Sequence, residues 1–220
     1  METITEKPDD MRRLRNFIGV LGMLLPFLTL AFNLGFGRGY NPPGVFTSIS
    51  ATHYSSAYIF FEGIVCISSG FLLFYRGYDI GISRDRVASI IAGIGGFTLV
   101  LSPCKLEGAE TRNFVMAAQD ATNVFHLIGA GVFFACLVYI VGFRFVRTGE
   151  GGTVQPGSRK WRRNILYRVS AVAMAVALAI GFGGSRLFGF PYLVFIGESV
   201  ALVVHGIAWC TKGGMWLRDV

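Results

Sequence analysis

Charge is what this 220-residue chain has least of. Asp, Glu, Lys and Arg make up 15% of it, against about 25% in a soluble domain. That shortage excludes an ordinary water-soluble fold. What fills the space is apolar: 53% hydrophobic residues, with 20 Phe and 29 Gly. Glycine is more frequent in membrane helices than in soluble ones. Histidine is scarce as well, at three residues, and neither HExxH nor HxxxH occurs. The four cysteines, Cys66, Cys104, Cys136 and Cys210, form no CxxC, which excludes a disulfide framework and a zinc ribbon. They read as small apolar packing residues, with Cys104 alone in an extramembrane loop. GEGGTVQPGSRK has the composition of a phosphate loop but lacks GxxxxGK[ST] and a preceding strand, so it reads as a linker. A net charge of +7 invites a nucleic-acid reading, yet no nucleic-acid motif accompanies it. Most of the basic residues flank apolar runs, as topology signals and headgroup contacts do.

Six apolar segments are present, near 16–36, 56–75, 87–103, 123–145, 165–184 and 190–210, each close to the roughly 20 residues that cross about 30 Å of hydrocarbon. The expectation is an all-α bundle of six transmembrane helices forming a single integral domain over 1–220. The opening MRRLR before an apolar run resembles a signal peptide. However, Phe17 to Phe36 is long for an h-region and no A-x-A site follows, which predicts an uncleaved first helix bent at Pro26. With the N-terminus inside, sixteen of the Lys and Arg residues fall on the cytoplasmic side. Only Arg38, Lys105, Arg112 and Arg186 fall outside. Both termini are therefore expected in the cytoplasm, and the location is a bacterial cytoplasmic (inner) membrane. RKWRR places Arg159, Lys160, Arg162 and Arg163 beside Trp161, a topology signal that also suits anionic lipid headgroups. Small-residue ladders at Ala173, Ala177 and Gly181, and at Ser89, Gly93 and Ala92, Gly96, suit packing within the bundle; a homo-oligomer or a partner subunit is the alternative use.

The ionisable residues inside these runs are the functional candidates, because a charge at mid-bilayer costs about 2.5–3.5 kcal/mol on insertion scales. They are Glu62, His126, Glu198 and His205. At 1.5 Å per residue, His126 lies about 5 Å below the outer boundary, Glu62 about 9 Å, Glu198 about 13 Å and His205 about 24 Å. That spread separates the two histidines by roughly 20 Å and excludes one haem held by both. Glu62, His126 and Glu198 are close enough in depth to meet in one outward-facing pocket. His53 would cap it, with Ser48, Ser50 and Tyr54 nearby. Such a site would take a proton, a small solute or a lipid group, with no cofactor required. The same three residues as zinc ligands with an open water position are the weaker alternative. A buried hydrogen-bond network joining three helices is the structural alternative. His205, without a nameable partner, reads as a core histidine bonded to a neighbouring helix.

SISATHYSSAYIFFEG, FLLFYRGYD, HLIGAGVFF and ESVALVVHGIAWCTKGG resemble a family of uncharacterised six-helix bacterial membrane proteins. The resemblance spans most of the chain from Ser48 onward and makes Ser48, Ser50, His126, Glu198, Trp209 and Lys212 family-like positions. It implies the six-helix fold and no particular activity. This sequence departs from the family pattern where an Arg-Asp pair would stand at Tyr58 and Ile59, the acid here being Glu62, and where His205 replaces an aromatic residue. A fainter similarity is to ceramidase and receptor-like hydrolases of seven helices, whose paired terminal histidines are missing here. It implies, as the alternative function, a metal-dependent lipid hydrolase within the membrane.

Overall fold

Serine starts two of the helices before hydropathy does. In the computed structural model, which describes residues 8–36, 46–77, 83–107, 118–148 and 152–217, Ser83 caps one helix by accepting from the Arg86 N–H, and Ser158 caps another by accepting from the Trp161 N–H. Each cap satisfies a backbone donor that the first turn leaves unpaired. Those helices therefore begin in polar sequence and carry charged turns beyond the apolar run. Lys7, Arg38, Tyr78, Asp79, Arg112, Gly149 to Gly151 and Arg218, all used in the sequence reading, lie outside the described residues.

Six main helices result: α1 (Pro8–Phe36), α2 (Tyr58–Phe74), α3 (Arg84–Leu101), α4 (Gln119–Tyr139), α5 (Arg159–Ala179) and α6 (Leu193–Lys212). A short 3-10 helix, Ser50–Tyr54, precedes α2. α4 runs on through a π-turn at Ile140–Arg144. α5 runs on through a second, Ile180–Gly184, and a last turn, Ser185–Phe188, that Gly189 ends with φ of 65°. The expected all-helical class holds, with no strand among the described residues. α1 passes through Pro26 as one continuous helix.

Among the described residues, four stretches are long and apolar enough to cross a membrane: Asp10–Phe36, Gln119–Arg144, Arg159–Phe188 and Leu193–Lys212. α2 is apolar but only 17 residues long. α3 has 18 residues and opens on Arg84, Asp85 and Arg86.

The helices form a closed ring of neighbours. α1 packs on α2 and α6, α3 on α2 and α4, and α5 on α6, with a lighter contact between α4 and α5. Glycine sets the tightest approaches. A Cβ at Gly19 would meet Gly206 O of α6 at 2.8 Å, and one at Gly129 would meet Gly95 O of α3 at 2.8 Å. The small-residue ladders are likewise spent within the chain. A Cβ at Gly197 would sit 3.0 Å from Gly181 Cα, and one at Gly93 2.9 Å from Ser69 O. Close backbone approach of this kind gives helices dispersion contact where burial from water cannot drive them together.

Trp209 is fully buried, with Phe71, Tyr75 and Phe145 set edge-on around it at ring-centroid distances of 5.0–5.3 Å. Outward, the bundle shows large apolar side chains, including Phe74, Phe143, Val172 and Leu187. A surface of that kind suits lipid and would drive aggregation in water.

Candidate functional site

The helices alternate in direction, so α2, α4 and α6 begin at the same end. The segment 46–57 folds over that end as a cap. Its backbone is tied to α6 twice: Phe195 N–H donates to Thr47 O at 2.9 Å, and Ile49 N–H donates to Glu198 Oε2 at 2.7 Å. Beneath it a small core of Phe46, Ala51, Tyr54 and Cys104 forms, separate from the main one, with Leu106 against it. Tyr54 closes this core by donating its hydroxyl to Cys104 O at 2.6 Å. Burial, with the neighbouring Cys104, pushes the Tyr54 phenol up to about 12. Burial pushes the Cys104 thiol up to about 11, opposed by a hydrogen bond with Ser50 and reinforced by the negative charge of Glu198.

The five residues singled out from sequence all lie at this end, each with its own partner. Glu198 is buried and accepts from the cap through Ile49 N–H. Glu62 pairs with His53, Oε1 to Nδ1 at 2.6 Å, so His53 does stand over α2 from the cap. Ser50 lies 3.2 Å from the Ser48 hydroxyl. His126 is buried, with Nδ1 at 2.9 Å from Leu99 O and 2.8 Å from Ser102 O. Two carbonyls can only be served by a donor, so Nδ1 carries the proton of the neutral ring and Nε2 keeps the lone pair.

No bond links any two of Glu62, His126 and Glu198. Similar depth brings them to one end of the bundle, but each side chain is committed elsewhere: to the cap's imidazole, to the end of α3, and to the cap's backbone. Among the described residues no three His, Cys, Asp or Glu side chains group to hold a metal ion. Glu62, His126 and Glu198, the weaker zinc alternative, are not among such a group. Depth follows from position along a helix, whereas ligation also needs three helix faces turned to one point.

Cys104 and Ile49 belong to the assembly and were not singled out. Ile49 contributes only a backbone N–H, which no sequence signal marks. Cys104 was visible as the one cysteine outside an apolar run.

The opposite end is basic. Arg144 Nε bonds Asp85 Oδ1, a pair nearly removed from solvent. The π-turn of α4 delivers Arg144 there. Arg15 lies over the Tyr75 ring at 5.4 Å and Lys212 over the Phe145 ring at 5.2 Å. The four cations of RKWRR divide in two. Lys160 donates to Arg147 O at 2.8 Å and Arg163 to Leu217 O at 2.7 Å, tying down the connections on either side. Arg159 and Arg162 are exposed. Asp85, an acid set between Arg84 and Arg86, was the available sequence signal for the buried ion pair.

His205 is not the satisfied core histidine expected from sequence: it is buried, and its Nδ1 has no hydrogen-bond partner.

A scan against protein-family models finds no match to this chain, and searches of curated proteins and solved structures find none either.

Proposed function

We propose that this protein is a six-pass protein of a bacterial inner membrane, with both termini cytoplasmic. Its capped end faces outward and receives a proton or a small hydrogen-bonding solute. The sidedness rests on Arg15, Arg144, Lys160, Arg163 and Lys212 gathering at the uncapped end, where basic residues mark the cytoplasmic face. α2 and α3 complete the six spans because they pack on each other and together fill the ring between α1 and α4, both of spanning length. The resemblance to uncharacterised six-helix bacterial membrane proteins belongs to this reading, as does contact with membrane lipids through Arg159 and Arg162.

The observation that carries the proposal is that a buried carboxylate, Glu198, holds the cap closed by its backbone. A second acid, Glu62, holds the cap's only histidine. A proton or solute that takes over either carboxylate competes directly with the cap, so binding and opening are the same event. The lipid-hydrolase alternative has less support, because Glu62, His126 and Glu198 each bond a different partner.

The test is flux or binding in proteoliposomes across a pH series. Glu198→Gln, which keeps the shape and removes the charge, is expected to abolish a pH-dependent signal. An unchanged signal refutes the role of Glu198. Stoichiometric zinc in the purified protein, lost on His126→Ala, would restore the hydrolase.

A further inference from the structure

Midway down the bundle, where α1, α2, α4 and α6 converge, lies a cavity of about 30 Å³. Most of its wall is apolar, including Leu25, Val65 and Phe133, but Ser68, His205 and Trp209 also line it. His205 and Trp209 sit four residues apart on one face of α6, with ring centroids 5.9 Å apart. Both are buried, Trp209 completely. Neither His205 Nδ1 nor Trp209 Nε1 has a hydrogen-bond partner in the protein. A buried indole N–H or imidazole nitrogen left unpaired is destabilising, and buried tryptophan N–H groups normally find an acceptor. Two such atoms at one cavity call for an occupant.

The chemistry of the wall selects it. The indole N–H only donates, so the occupant must accept a hydrogen bond, which an ammonium-type cation cannot do. No charged side chain lines the cavity, so a bare anion would be buried without a counter-charge. A hydrocarbon would leave both nitrogens unpaired. The space suits about two waters, since one needs roughly 10–15 Å³ on this measure.

We propose that this cavity is an internal water site, in which water accepts from Trp209 Nε1–H and bonds His205 Nδ1. The site stands independently of the reading given to the capped end. It gives the buried side of α6 a polar level between Glu198 and Lys212, each seven residues from His205, or about 10.5 Å along the axis.

The experiment uses the full chain in lipid nanodiscs. A high-resolution map should show ordered density within hydrogen-bond distance of both nitrogens. The indole N–H band of Trp209, isolated by subtracting the Trp209→Phe spectrum in ultraviolet resonance Raman, should be that of a hydrogen-bonded indole. Xenon under pressure should be refused by the unaltered protein and accepted by the His205→Phe, Trp209→Phe double variant, whose cavity keeps Ser68 but neither ring nitrogen. A dry cavity that takes xenon in the unaltered protein overturns the proposal. So does a free indole band, or rotation of either side chain onto a protein acceptor. If the double variant does not fold, the map, the band and the xenon result on the unaltered protein decide alone.

Discussion

Replacing Gly129 by alanine should loosen the bundle and the candidate site together, whereas the same change at Gly131 should do neither. Both glycines lie on α4, but a Cβ at Gly131 meets nothing within 4 Å. A Cβ at Gly129 would lie 2.7 Å from Leu99 N, 2.8 Å from Gly95 O and 3.0 Å from Thr98 Cβ, two of them backbone atoms of α3. Ordinary contact begins at 3.4 Å, so α3 and α4 must part by about 0.7 Å there. Overpacking of this kind costs about 1–3 kcal/mol, with alanine's better helix propensity returning up to about 1. His126 lies one turn away on the same helix, bonded to Leu99 O at 2.9 Å. Moving α3 directly away by that amount carries the bond to about 3.6 Å, beyond a useful N–H···O distance. Two measurements read the effect: the midpoint of unfolding in mixed detergent, and the nitrogen-15 shift and proton-exchange rate of His126 Nδ1. Gly129→Ala should lower the midpoint and speed the exchange, and Gly131→Ala should change neither adversely. Equal behaviour of the two variants would falsify the claim that close α3–α4 approach positions His126.

Removing Glu198 as an acceptor should free the cap: Glu198→Ala leaves Ile49 N–H unpaired at a cost of about 1–3 kcal/mol, measurable as faster hydrogen exchange over 47–55, while Glu198→Gln keeps an acceptor and loses less. Arg144→Ala removes the guanidinium bonded to the Asp85 carboxylate, whose side chain is 3% exposed, and breaking a buried pair this way costs about 3–5 kcal/mol. The Asp85→Asn, Arg144→Met double variant should recover part of it in the same unfolding assay, and no recovery would show that the pair itself is not responsible. Alkali should lift the cap. The Tyr54 phenol and Cys104 thiol are raised to about 12 and about 11 from ordinary values of 10.0 and 9.0, so their contribution is present below pH 9 and fades as pH climbs through those values. Alkylation of Cys104 should accordingly stay slow at pH 8, and fast labelling there would refute the burial of that thiol beneath the cap.

Much of the architecture was legible because apolar length is a one-dimensional property. The runs at 16–36 and 165–184 lie in helices long enough to span a membrane, and those at 123–145 and 190–210 overlap two more, Gln119–Arg144 and Leu193–Lys212. The helix starts were misjudged where a polar cap extends the helix past the apolar run, as Ser158 does for α5. The helix expected around Pro26 is continuous from Pro8 to Phe36.

At the candidate site the sequence determined depth. Rise per residue gave Glu62, His126 and Glu198 similar depths and the loop before α2 supplied His53 and Ser50; the structure has each of them bonded at one end of the bundle. Only the tertiary structure decided who meets whom. The partner of Glu198 is a backbone N–H some 149 residues away, and that of His126 is a pair of carbonyls on α3, neither of which a side-chain pattern can encode. The physical reason is rotational. Distance along a helix is fixed by 1.5 Å per residue whatever surrounds it, but the direction a face points depends on which neighbours the glycine contacts allow close.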